Sequence, residues 1–178
     1  MGPPEIIDAG EVVLKRWQPA WAEEAAAAVR ESLPELKQFL PWATDPHDVE
    51  ASRTFIEKSV GDWDKATTFN YAIFTAAGDL AGSIGLMTRR GPGVLEIGYW
   101  TRTSHTGRGY MTAAVEALTR VAFTLPGIER VAILHDAGNP ASAAVAAKAG
   151  FVEVSRVERE PEAPGETGID VIRERRAP

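Results

Sequence analysis

The sequence predicts an α/β fold, a mixed and mostly antiparallel sheet flanked by helices. Three observations predict it. Between Phe69 and Thr101 three β-patterned runs follow one another with only short turns between them, which reads as a meander. At Gly107-Arg108-Gly109 the pattern switches from strand to helix, and Met111, Val115, Leu118 and Ala122 then fall on one helical face. From there helix and strand alternate, so crossover connections are confined to the second half of the chain.

Taken in order, residues 1–10 read as an unpaired arm and Glu11–Arg16 as a short strand. Pro19 opens a helix whose buried face carries Trp21, Ala25, Ala28 and Val29. Pro34 is expected to start a second short helix with Leu36, Phe39 and Leu40, which Pro41 stops. After the loop TDPHD, Asp45 or Asp48 caps a third helix to about Asp64, with Val49, Ile56, Val60 and Trp63 as its stripe. Phe69–Thr75, Leu80–Thr88 and Val94–Thr101 are the meander, turned at Ala77-Gly78-Asp79 and at 89–93. The helix Tyr110–Phe123 leads to a strand at Glu129–His135. Asn139-Pro140 is a cap followed by a first-turn proline, and Gly150 ends that helix. Phe151–Arg159 and Ile169–Glu174 form a last hairpin around the polar turn 160–168.

Composition narrows the function classes. The chain has 178 residues, enough for one domain spanning 1–178 with a sizeable core. A net charge of −6 without a basic run argues against a nucleic-acid partner. Cysteine is absent, which excludes disulfides, Cys-ligated zinc and thiol nucleophiles, and three scattered histidines do not suggest a metal site. No apolar run approaches a membrane span, and the start MGPPEIID lacks a basic n-region and an apolar core. A cytoplasmic location without membrane partners is expected.

A glycine loop feeding a helix N-terminus offers unpaired N–H groups and the positive end of a dipole to phosphate oxygens. A P-loop would need Gly-Lys-Ser/Thr, which does not occur. A dinucleotide fingerprint would need a third small residue where Thr112 stands, and its strand would open the domain. Coenzyme A is the third reading of such a loop.

The runs EIGYW, TGRGYMTAAVEAL and NPASAAVAAKAGF, with SLPELKQFLPWA near the start, resemble the GNAT superfamily of acetyl-CoA-dependent N-acetyltransferases. The likeness is greatest to its RimJ/RimL-like, ribosomal-protein N-acetyltransferase branch and runs from roughly Val12 to Ile172. The family's loop, Gln/Arg-x-x-Gly-x-Gly/Ala, falls on Thr106 to Met111; Gly109 matches, whereas Thr106 and Met111 depart from the outer positions. The resemblance implies acetyl-CoA as cosubstrate, no metal, and a sheet splayed at the strand around Gly98. It implies that the N–H groups of Gly107, Arg108, Gly109, Tyr110 and Met111 cradle the pyrophosphate. The pantetheine arm would lie along the opened strand near Tyr99 and Trp100, whose amides polarise the thioester carbonyl.

Gly98 in mid-strand reads on its own as a bulge. Asn139 reads as a helix cap and, by resemblance, as a pantetheine contact. Ser142 is either a first-turn polar residue or the proton donor to the departing thiolate, because the tyrosine many relatives use is replaced by Ala146. Glu96, on the strand face shared with Gly98 and Trp100, is a candidate base for the incoming ammonium or a salt-bridge partner. His135 is an alternative proton acceptor or a solvated strand end. Arg102, Arg108 and Lys148 are phosphate contacts or surface charge. Trp42, Phe39 and Tyr71 are acceptor-pocket walls or core.

The reaction implied is direct acetyl transfer to a primary amine, either a protein N-terminus or a small amine such as an antibiotic or polyamine. Acyl-CoA binding without transfer is the non-enzyme alternative. Relatives of this kind are often homodimers.

Overall fold

The computed structural model describes residues 2–178. One eight-stranded sheet has the order β1-β2-β3-β4-β5-β6-β8-β7. Its strands are β1 (Ile6–Asp8), β2 (Val12–Arg16), β3 (Thr68–Thr75), β4 (Leu80–Met87), β5 (Val94–Thr101), β6 (Arg130–Asp136), β7 (Val152–Glu158) and β8 (Ile169–Arg176). The helices are α1 (Ala22–Leu36), α2 (Val49–Asp64), α3 (Tyr110–Thr124) and α4 (Pro140–Lys148). Only β5 and β6 pair in parallel, through the α3 crossover; every other neighbouring pair is antiparallel. Among the described residues no helix is long and apolar enough to cross a membrane.

Strand alternation sorts the core into two layers. Leu14, Tyr71, Ile84, Ile97, Ile133 and Phe151 pack with Leu118 and Val115 of α3 on one face. Trp17, Ala72 and Leu80 pack under Ala25 and Ala28 of α1 and Ile56 of α2 on the other. Each of these large side chains contributes about 1.5–3 kcal/mol by leaving water.

Three sequence expectations are corrected. Residues 1–10 are not an unpaired arm: Ile6–Asp8 is a strand on β2. Asp8 accepts from the Gly10 amide at 2.9 Å, and Gly10 sits at φ +83, so a tight hairpin forms and buries Ile7. Pro34 does not start a helix; it lies inside α1, in the last turn, where its missing N–H removes a single bond. Gly98 is not a bulge. It pairs with Gly85, and the β4–β5 register runs unbroken from Met87–Glu96 to Gly82–Thr101. The irregularity falls one strand pair away, between Ile73 and Phe74 of β3, where Ala81 of β4 is the unpaired residue. Beside it, Gly82 approaches β5 so closely that a Cβ would lie 2.3 Å from the Trp100 carbonyl oxygen.

Candidate active site

The sheet parts where the chain turns toward function. β5 and β6 pair only at Val94–Arg130, Leu95–Val131 and Glu96–Ala132. Beyond that point β5 stays on β4 through Thr101, and β6 stays on β8 through Asp136. Each strand is thus held on its outer edge and open on its inner one. Open strand edges carry N–H and C=O groups that want partners. An amide-bearing extended ligand satisfies that demand by lying between them.

Directly after β5 comes a short 3₁₀ turn, Thr103–His105, and then the glycine loop. Gly107 (φ +74) and Gly109 (φ +77) are both left-handed, and a Cβ at either would meet nothing within 4 Å. Gly109 is the N-cap of α3 and supplies no side-chain acceptor. The first-turn amides of a 15-residue helix are left facing outward, an arrangement suited to phosphate. Loop and gap are consecutive in the chain, so one ligand reaches both.

The turn leading into the loop is clamped by α1. Glu31 accepts from the Ser104 amide (2.9 Å) and from Arg102 Nε (3.0 Å), and Ser32 Oγ accepts from the Thr103 amide (2.9 Å). Burial works to raise the Glu31 carboxyl, but the bonds from Ser104 and Arg102 outweigh it and hold it below its ordinary value. The pair is largely solvated, so Glu31→Gln is expected to cost only about 0.5–1 kcal/mol. Its clearer signature is a several-fold rise in the CoA dissociation constant, read by calorimetry, as the loop loosens.

Across the gap, Tyr99 and Ser142 meet. The Tyr99 hydroxyl donates to the Ser142 carbonyl oxygen at 3.0 Å and lies 3.0 Å from Ser142 Oγ. Asn139 caps α4 by accepting from the Ser142 amide at 3.2 Å, which fixes the first turn. Ala146, one turn further on, is fully buried.

On the opposite face of β5, Glu96 is 3% exposed and forked by Arg89, with Nε to Oε1 at 3.1 Å and Nη2 to Oε2 at 2.6 Å. Arg89 borders a cavity of ≈ 520 Å³ that Phe55, Asn70 and Met87 help to line. His135 is buried rather than solvated. Arg173 Nε donates to its Nε2 at 3.0 Å and its Nδ1 faces the Asp136 carbonyl at 2.9 Å, so its one lone pair is taken.

The third side of the cleft is built by loops. Trp42, 47% exposed, leans on Trp100 of β5, with centroids 6.2 Å apart, and on His47 at 6.3 Å. The turn after β7 is tied to the segment after α1 by a bond from the Gly165 amide to the Gln38 carbonyl (2.8 Å), beside Phe39. Asp136, at the end of β6, anchors that turn: it accepts from Gly138 N (2.7 Å), Thr167 N (2.9 Å), Thr167 Oγ1 (2.9 Å) and Gly168 N (3.2 Å).

The structure therefore brings together Gly98, Tyr99 and Trp100 on the open edge, 106–111 in the loop, and Asn139 and Ser142 at the mouth. Arg102 is engaged by Glu31 and the Leu80 carbonyl, whereas Arg108 projects into solvent. Lys148 is exposed in the last turn of α4. Tyr71 is core, bonded to the Pro4 carbonyl and packed on Trp63, away from the cleft. Sequence reasoning missed Arg89, Glu31 and the Tyr99 hydroxyl. Their partners lie 7, 71 and 43 residues away, and no spacing rule links them.

Comparison with known proteins agrees with this geometry. Residues 11–152 match the family model described as an acetyltransferase (GNAT) domain. The Bacillus subtilis (strain 168) protein YdaF, named among ribosomal N-acetyltransferases, is 29% identical over 150 residues, covering 80% of this chain and 78% of its own. The microcin C7 self-immunity acetyltransferase MccE, solved with acetyl-CoA and AMP, superposes with a TM-score of 0.90 at 21% identity, covering 98% of this chain and 97% of that one. RimL, the ribosomal L7/L12 α-N-protein acetyltransferase solved with coenzyme A, gives 0.88 at 22% identity, covering 97% and 98%. With a family model spanning most of its length, and a parted sheet beside a helix-capping glycine loop, the chain belongs to the acetyltransferase (GNAT) family.

Proposed function

We propose that residues 1–178 act as one cytoplasmic unit that moves the acetyl group of acetyl-CoA to the free amine of a protein N-terminus. The observation that carries this reading is the end of β5–β6 pairing at Glu96, on the strand that leads into a loop of outward amides. In this reading amides 107–111 hold the pyrophosphate and the edge around Gly98, Tyr99 and Trp100 holds the pantetheine arm. An edge N–H then polarises the thioester carbonyl. The amine attacks in its neutral form. As its nitrogen bonds to the carbonyl carbon, the carbon–sulfur bond breaks and the electron pair stays on sulfur. The nitrogen sheds one proton and the sulfur gains one. In this reading Ser142 assists the leaving sulfur, and Glu96, through water, is the candidate to receive the amine's proton.

The acceptor assignment is supported by the relatives' own names, YdaF and RimL. A second reading, a small cationic amine, is favoured by the exposed acids Glu158 at the end of β7 and Glu160 and Glu162 on the turn beyond it. MccE was solved with AMP, so amines carried on a nucleotide are a third class to test. Free-thiol release is to be measured against peptides with Ser or Ala N-termini, polyamines and aminoglycosides, and aminoacyl nucleotides. Turnover concentrated on peptides supports the proposal; turnover on small amines alone replaces it. Tight CoA binding with no thiol release from any amine would leave only a binding module. Trp42→Ala is expected to raise the acceptor KM about fivefold with the acetyl-CoA KM unchanged, because it strips an exposed aromatic wall from the acceptor side alone.

A further inference from the structure

Acetyl transfer along the open strand edge uses the main chain of Tyr99 and leaves its side chain without a task. That side chain is unusual in its placement. Tyr99 lies on the segment of β5 that has lost its β6 partner, yet its ring crosses to α4. There the hydroxyl meets Ser142 twice, at the carbonyl oxygen (3.0 Å) and at Oγ (3.0 Å). A carbonyl oxygen only accepts, so the phenolic hydrogen is given to it. The phenolic oxygen is then free to accept from the Ser142 hydroxyl. The serine rotor, which would otherwise turn freely, acquires one preferred direction.

The surroundings suit a fixed donor. The Tyr99 ring packs against the buried layer under α3 and α4. Burial pushes its hydroxyl up to about 12, against a smaller downward pull from Ser142 and Arg173, so it keeps its hydrogen throughout the working range. The turn of α4 beyond Ser142 offers no other hydroxyl, since residue 146 is a buried alanine.

We propose that Tyr99 is a positioning residue for acetyl transfer, its hydroxyl holding that of Ser142 in place and then backing it as it turns to donate to the thioester sulfur. This rests on the acetyl-transfer reading above. As the carbon–sulfur bond breaks and charge grows on sulfur, the Ser142 O–H turns to donate to it. The Tyr99 O–H then shifts from the Ser142 carbonyl to Oγ and takes up part of the charge developing there. The proton shed by the attacking nitrogen leaves to the base and on to water, and the thiolate takes one proton from water, so the step balances and both hydroxyls end as they began.

The test is a two-residue cycle read as thiol release from acetyl-CoA with Ser- and Ala-initiated peptides. Tyr99→Phe is expected to lower kcat about tenfold while the KM for acetyl-CoA stays within about twofold. Ser142→Ala is expected to lower kcat roughly tenfold to a hundredfold. The double variant should be no slower than Ser142→Ala by more than about twofold, because the two act as one unit. Two effects that multiply in full would overturn the proposal, as would an unchanged kcat in Tyr99→Phe. So would a loss confined to thermal stability and KM. Should Tyr99→Phe not fold, fluorotyrosine at position 99 keeps the shape and acidifies the hydroxyl. It must then alter kcat with Ser142 present and not in Ser142→Ala. A wild-type protein that binds acetyl-CoA but releases no thiol would fell the acetyl-transfer reading and this proposal together. An active wild type with an indifferent Tyr99→Phe fells this proposal alone.

Discussion

Asp136→Ala is expected to unfold more readily than wild type by about 3–5 kcal/mol, which for a chain of this length lowers Tm by about 6–15 °C. The carboxylate is 4% exposed and gathers three backbone amides and one hydroxyl from two separate segments. Alanine leaves those donors without an acceptor in a place where water has little access. Arg159 also loses a partner, with its Nη2 3.6 Å from Asp136 Oδ2, although Glu166 and Asp170 still hold it.

The pH dependence has a definite sign. Burial works to raise the Asp136 carboxyl, but the bonds from Thr167, Gly138 and Gly168 outweigh it and hold it below its ordinary value. A folded-state value lower than the unfolded one means stabilisation that is complete above about pH 4–5 and is lost as pH falls through the folded value. The gap in urea stability between wild type and Asp136→Asn should therefore be widest near neutrality and close in acid. A gap that widens in acid would refute the assignment. The same substitution should reach function from one side only. The turn it anchors touches the Gln38 carbonyl, on the side proposed for the acceptor, whereas the segment leading into the glycine loop is held separately by Glu31. Acceptor KM should rise and CoA affinity should persist.

Local signals in the sequence were the ones with local causes. Asn139 capping α4, Asp48 capping α2 through the Ala51 amide, and Gly150 at φ +85 each depend on residues within four positions. The meander and the strand-loop-helix switch at Gly107–Gly109 were legible because period and turn chemistry change there together. What stayed hidden depends on tertiary partners. Ile6–Asp8 becomes a strand only because β2 offers an edge. Gly98 stands opposite Gly85 in an unbroken ladder, and its neighbour Met87 would lie 3.0 Å from an added Cβ. Its small size answers a close side chain, not a bulge. The parting of the strands was expected, but through the family resemblance and not through any local signal: it is a property of the pair, with β8 inserted between β6 and β7, and no residue of β5 alone encodes it.

Arg108→Glu is expected to weaken CoA binding roughly tenfold to a hundredfold while leaving the protein as stable as before or slightly more so. Two opposite expectations follow from one location, which is what makes the variant decisive. Residue 108 sits between two left-handed glycines just before α3, exposed. A carboxylate near a helix N-terminus interacts favourably with the dipole, by about 0.3–1 kcal/mol at a solvated site. If residues 106–111 were only a turn, a carboxylate at position 108 would be neutral or beneficial by every measure. If their amides hold a pyrophosphate, reversing one charge beside it removes an attraction and adds a repulsion. At a few ångströms and surface-like screening that amounts to about 1–3 kcal/mol. The loss should shrink as salt is raised, because the charges are exposed and screening shortens their reach. Calorimetry with CoA at two ionic strengths, alongside a thermal melt, reads all three quantities. A melt that falls in step with affinity would mean the loop had merely been broken. Affinity that falls while the melt holds, and recovers in part with salt, is the behaviour of an anion site built from main-chain N–H groups.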